Sequence, residues 1–258
     1  MYTENDQRLF LLVFLLSLVF GGRFTFGAST VLSAGEDMKI ELDSKGRISC
    51  LEFSGKELET GEMISESGFQ IIEYPQKQQY TVEGNIESGN NLAIQTDMLN
   101  QAQLHFSAEY RQCNGYMKVV GEIEDLSGED RAIDLVYRLP ISAFGWQWWQ
   151  DMVESDRIEQ GQTYSNLVNM CESSIDCQSC KRISCYPVSC ISDENNEVGI
   201  AMGVSAEHPC VYRLEYDSEM QTLQIRFKFG LVDNAKDHLR GKATFGLVIV
   251  YVNPDSEF

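Results

Sequence analysis

The chain has 258 residues, with 39 Asp and Glu against 20 Lys and Arg, a formal net charge of −19. A surface of that sign repels phosphate backbones and anionic bilayers, and no Lys/Arg cluster offsets it, so nucleic acid is excluded as a partner. Apolar residues make up 43% of the chain, the share of an ordinary globular protein long enough to bury a large core.

The chain opens on polar MYTENDQR, followed at 9–20 by LFLLVFLLSLVF and then by Gly21-Gly22-Arg23. The apolar run is shorter than the roughly 20 residues of a membrane-spanning helix. It predicts a signal peptide over 1–29 that ends at the small residues Gly27-Ala28-Ser29, and hence an exported protein, secreted or held in the periplasm or at the cell surface. An uncleaved N-terminal anchor is the alternative, and the only expected route to a membrane. Residues 30–258 are expected to form a single β-sandwich domain.

From residue 38 the hydrophobic period is 2. Asp43-Ser44-Lys45-Gly46 separates strands at 38–42 and 47–53, and Cys113-Asn114-Gly115 marks a hairpin between 103–111 and 116–124. Leu104, Phe106, Ala108 and Tyr110 alternate with polar residues. So do Ile133, Leu135, Tyr137 and Leu139, and later Leu223, Ile225, Phe227 and Phe229. Each set reads as a half-buried antiparallel strand with one wet face. Residues 151–160 are expected to hold a helical turn or two at most. ATFGLVIVYV at 243–252 is apolar on both faces and reads as a central strand covered on both sides. A dozen or more strands with no helices between them indicate an all-β fold, a large antiparallel two-sheet sandwich.

Two clusters interrupt this pattern. All three tryptophans fall in GWQWWQD, where Trp146 and Trp148 share a strand face and Trp149 points the other way. Exposed aromatic faces beside carboxylates suit sugars, because a ring offers an apolar face to axial C–H groups. Trp146 and Trp148 are therefore ligand-binding candidates, with Asp151 and Arg157 as polar partners. Core packing is the other reading, since a tryptophan buries a very large area.

The second cluster is cysteine-rich. An even count of eight in an exported chain suggests disulfides, and Cys171, Cys177, Cys180, Cys185, Cys190 and Cys210 are the candidates. Cys177, Cys180, Cys185 and Cys190 have a zinc-knuckle-like spacing. An oxidising compartment and the lack of glycines weigh against zinc, so no metal is expected. Asp193-Glu194-Asn195-Asn196-Glu197 lacks the ligand order of a calcium loop and reads as a solvated turn.

No complete catalytic constellation is present: G-x-S-x-G, H-E-x-x-H and G-x-x-x-x-G-K-[ST] are all missing. His105 lies on the polar face of a strand. No cofactor is expected.

Three segments, in order, carry a resemblance: GWQWWQDMVESDRIEQGQTYSN at 145–166, ISCYPVSCISDENNEVGIAMGVSAEHPCVYRLEYD at 183–217, and the strands at 223–255. The matching positions are Gly145, Trp146, Trp148 and Asp151; Ser184, Tyr186 and Pro187; Pro209, Arg213, Leu214, Tyr216 and Asp217; and Phe227, Phe229, Gly230 and Leu231. Together they resemble the N-terminal β-sandwich of large exported bacterial glycoside-hydrolase-like proteins. GRISCLEFSGKEL at 46–58 resembles the first hairpin of galactose-mutarotase-like super-sandwiches.

Such proteins continue into a barrel that would hold the catalytic acids, whereas this sequence stops at Phe258. The resemblance implies a carbohydrate context and a polysaccharide or glycan as partner. It supplies no catalytic residue. The expectation is a non-catalytic carbohydrate-associated module. The alternatives are a mutarotase-like or lyase-like enzyme with a site in a sandwich cleft, and an exported structural protein without ligand.

Overall fold

The computed structural model describes residues 29–61, 64–150, 154–166, 187–193, 195, 198–233 and 240–252. In chain order the first strands are β1 (Thr30–Ala34), β2 (Met38–Leu42), β3 (Ile48–Phe53), β4 (Lys56–Glu57), β5 (Gly68–Tyr74), β6 (Gln78–Thr81), β7 (Asn85–Ser88), β8 (Leu92–Leu99), β9 (Leu104–Gln112) and β10 (Tyr116–Asp125). They are followed by β11 (Arg131–Pro140), β12 (Gln147–Trp149), β13 (Ser155–Arg157), β14 (Thr163–Ser165), β15 (Val188–Ser192), β16 (Gly199–Val204), β17 (Val211–Asp217), β18 (Thr222–Leu231) and β19 (Lys242–Val252). The only helical element among the described residues is a 3-10 turn at Ile64–Glu66. The fold is all-β, as the alternation predicts.

The strands form three antiparallel sheets. A four-stranded sheet runs β1-β2-β3-β4, a nine-stranded sheet β13-β12-β15-β16-β19-β10-β9-β8-β7, and a six-stranded sheet β14-β17-β18-β11-β5-β6. Apolar side chains from all three join one buried cluster. Its centre is aromatic. Phe69 of the six-stranded sheet lies 4.9 Å from Phe106 and 5.3 Å from Phe245, both on the nine-stranded sheet, and 4.6 Å from Tyr137. Each such ring removed from water contributes about 1.5–3 kcal/mol. Gly121 permits this packing: a Cβ there would lie 2.4 Å from the Phe245 ring.

Three expectations are modified. β19 is central, between β16 and β10, but only one of its faces is buried along its middle, at Phe245, Leu247 and Ile249; Val248 and Val250 on the other are half-exposed. β11 shows the reverse. Its supposedly wet face carries Asp134, Val136 and Arg138, all buried. Residues 155–157 are a strand, β13, paired with β12, rather than a helical turn.

Candidate functional site

Where the six-stranded sheet ends, the chain leaves β11 at Pro140 and enters β12 at Gln147. The link is pinned at every step. Ile141 N donates to Gln221 O at 2.8 Å, Ser142 N to Glu59 O at 3.0 Å, and Ala143 N to the Tyr216 hydroxyl at 2.9 Å. That hydroxyl donates in turn to Ile141 O at 3.0 Å. Residues 143–146 then form a β-turn closed by Trp146 N donating to Ala143 O at 3.1 Å. Gly145 sits at its third position with φ +84°, a left-handed conformation that glycine adopts without a Cβ penalty. The turn throws Phe144 outward, and its ring is 71% exposed.

Phe144 lies on a cleft of about 720 Å³ at the strand ends, within the size range of small-molecule sites. The other described lining residues include Ser142, Ser218, Gln160, Gln221, the buried Tyr216 and one carboxylate residue, Glu219. The β17–β18 turn that carries Ser218, Glu219 and Gln221 is braced by Asp217, whose Oδ1 accepts from Glu219 N and Met220 N, both at 3.0 Å. Ser218 Oγ also accepts from Gln162 N at 2.8 Å, which ties this turn to the 160–162 loop. The cleft is thus built from short, cross-bonded loops, and a ligand need not order them.

Behind the cleft, the outer face of the six-stranded sheet is polar. The register places Glu215 opposite Gln224 and Gln224 opposite Arg138, while Arg213 faces Arg226. Arg138 donates to Glu66 Oε2 at 3.0 Å, to Gln70 Oε1 at 2.6 Å and to Gln224 Oε1 at 3.1 Å. Arg226 donates to Asp134 Oδ2 at 3.1 Å, and Arg213 pairs with Glu215 at 2.9 Å. The Tyr74 hydroxyl donates to Asp134 at 2.9 Å, and burial followed by that carboxylate raises its pKa. Burial lowers the Arg138 pKa against the opposing pull of Glu66. Glu66, Asp134 and Glu215 are each engaged by an arginine, so the three form one charge-paired network.

The β12–β13 register places Arg157 opposite Gln147, between Trp146 and Trp148, and Arg157 and the two tryptophans do not line the cleft. Trp148 is corrected as a ligand candidate: it is 1% exposed and lies in the core, with its backbone opposite Ile191. A ring with no free face cannot stack on a sugar. Trp146 is half-buried against the same core. Arg157 is exposed on β13, an edge strand, and does not line the cleft. Asp151 lies outside the described residues. The aromatic on the cleft is instead Phe144, which the tryptophan cluster overshadows. Its signal in the sequence is the following glycine, a turn residue placed to turn the preceding side chain outward.

Among the described residues no disulfide is formed: Cys190 and Cys210 are unpaired, as are Cys50 and Cys113. Burial pushes the Cys190 thiol up to about 12 and the Cys210 thiol up to about 11, which holds both protonated at neutral pH. Cys171, Cys177, Cys180 and Cys185 lie outside the described residues.

No protein-family description and no curated protein matches the sequence. Solved structures do. The chain is similar to the Slr1438 protein of Synechocystis sp. PCC 6803, with TM-score 0.50 and 9% identity over 90% of this chain and 99% of that one. It is similar to the GH36 α-galactosidase AgaB of Geobacillus stearothermophilus, with TM-score 0.50 and 11% identity over 90% of this chain and 41% of that one. A galactose mutarotase related enzyme of Lactobacillus acidophilus aligns with TM-score 0.47 and 11% identity over 89% and 99% of the two chains. At these identities the likeness speaks to architecture. The chain has the antiparallel sandwich fold that its resemblance to galactose-mutarotase-like super-sandwiches implies.

Proposed function

We propose that this chain is a non-catalytic carbohydrate-binding module that seats a glycan in the cleft at the ends of β11, β17 and β18. One observation carries the reading: Phe144, 71% exposed, stands on a cleft whose other described lining is mainly Ser and Gln with a single carboxylate. A pyranose has the complementary anatomy. Its C–H face stacks on an aromatic ring, and its hydroxyls pair with Ser, Gln and Glu side chains. A relative in fold, the GH36 α-galactosidase AgaA of Geobacillus stearothermophilus, was solved with raffinose, which supports a carbohydrate context.

The same inventory supports binding over turnover. Acid–base chemistry on a glycoside needs two carboxylates, or a carboxylate and a histidine, around one bond. Among the described lining residues Glu219 is the only such group; Glu66, Asp134 and Glu215 of the adjacent polar face are held by arginines, and Asp217 by backbone amides. The N-terminal apolar run fits an exported module comprising residues 30–258, with its glycan met outside the cytoplasm.

The test is affinity electrophoresis through gels containing galactomannan, xyloglucan or mixed-linkage β-glucan. At least one gel should retard the native protein, and Phe144→Ala should run unretarded with an unchanged unfolding midpoint. Full retention by Phe144→Ala would overturn the reading. So would release of reducing sugar from any of these polymers by the purified protein.

A further inference from the structure

We infer that the cleft selects its glycan by charge, admitting uncharged chains and rejecting those that carry uronate or sulfate groups; this rests on the glycan-binding reading above. Glu219 is the only charged side chain among the described residues lining the cleft, and it is exposed. Its position is set by the chain itself. Asp217 Oδ1 holds the amides of Glu219 and Met220, and Gln221 closes the turn in the left-handed region at φ 51°. Among the described residues, neither Lys nor Arg lines the cleft.

The cations nearest in the sheet are already committed. Arg138 binds Glu66, Gln70 and Gln224; Arg226 binds Asp134; and Arg213 pairs with Glu215. Turning Arg226 toward a ligand carboxylate would strand the buried Asp134, and turning Arg138 would strand the buried amides of Gln70 and Gln224, a costly exchange. An anionic sugar on Phe144 would therefore meet the Glu219 charge with no cation among the described lining residues to offset it. A like charge at about 4 Å weakens binding about fivefold even in water, and more beside a protein wall. A neutral sugar meets the same carboxylate as a hydrogen-bond acceptor for its hydroxyls, the stronger kind of acceptor.

The experiment separates this local charge from the overall charge of −19. The full chain is run through gels of the three neutral polymers and of polygalacturonate, at low and high salt. Glu219→Lys is compared with Glu36→Lys, which makes the same change in net charge in the β1–β2 turn. The native protein should be retarded by a neutral gel with little dependence on salt, and not by polygalacturonate. Glu219→Lys should gain affinity for polygalacturonate at low salt by about fivefold or more, and Glu36→Lys should not.

Retardation of the native protein by polygalacturonate as strong as by any neutral gel would overturn the inference. An equal gain for both lysine variants would also overturn it, because bulk charge would then explain the exclusion. Neither result touches the site itself, which fails separately if no gel retards the native protein or if Phe144→Ala is retained like it.

Discussion

Phe144 and Trp148 stand four residues apart and end in opposite surroundings. One ring is 71% exposed on the rim of a polar cleft; the other is 1% exposed between two sheets. Size and hydrophobicity would bury both. The difference lies in the backbone between them. The turn at Gly145 points residue 144 away from the sheet ends, and three residues later the β12 register has carried the chain into the core. An aromatic cluster in a sequence therefore marks a place where rings are concentrated, and the local turn decides which of them meets solvent.

That contrast can be broken by experiment. The largest effect is expected for Trp148→Ala, which opens a cavity in the core and should cost about 3–5 kcal/mol in chemical unfolding; a cost below about 1 kcal/mol would return Trp148 to the surface. Arg138→Ala comes next. It leaves Gln70 and Gln224 short of a buried donor, and about 2–3 kcal/mol is expected. Glu66, the more exposed partner at 37%, can rehydrate.

Tyr216 joins the two regions, with its ring in the core and its hydroxyl holding the 141–143 backbone. Tyr216→Phe should cost about 1–2 kcal/mol and weaken glycan retention by loosening the mount of Phe144. The same residue predicts an alkaline limb. Burial raises its phenol from an ordinary value of about 10 to about 12. Between those values the unfolded chain has lost the proton that the folded chain keeps, so its contribution is complete below pH 10 and disappears as pH rises toward 12. A pH series of unfolding midpoints should fall in that window, and less steeply for Tyr216→Phe. The smallest stability effect belongs to Phe144→Ala, within about 0.5 kcal/mol, beside the loss of retention on neutral polysaccharide.

Most strands are legible in the sequence because one face of each is wet. Leu104, Phe106, Ala108 and Tyr110 announce β9 by alternation alone, and Cys113-Asn114-Gly115 announces its hairpin with β10. β11 is legible as a strand, but its second face is not. Asp134 and Arg138 look like solvent-facing residues until their partners are known, and those partners, Tyr74, Arg226, Gln70 and Gln224, lie on β5 and β18. The cleft was hidden for the same reason. Ser142, Gln160, Glu219 and Gln221 come from three separate loops, each unremarkable alone, and only the sheet order brings them to one place.

The position of β11 also bears on how the chain reaches this state. The Tyr74–Asp134 bond spans 60 residues backward and the Arg226–Asp134 bond spans 92 forward. A nascent chain can pair β11 with β5 early, but its other edge stays open until β18 has been made. During that interval IDLVYRLP is a strongly apolar strand with one edge unpaired, the kind of segment that recruits other copies of itself. The charges of Asp134 and Arg138, which in the finished sheet belong to a closed network, interrupt that apolar run while it waits, as gatekeeper residues do. Replacing the pair with apolar residues of matched shape should therefore show its damage in the yield of soluble protein from rapid refolding before it shows in the equilibrium stability of the molecules that do fold.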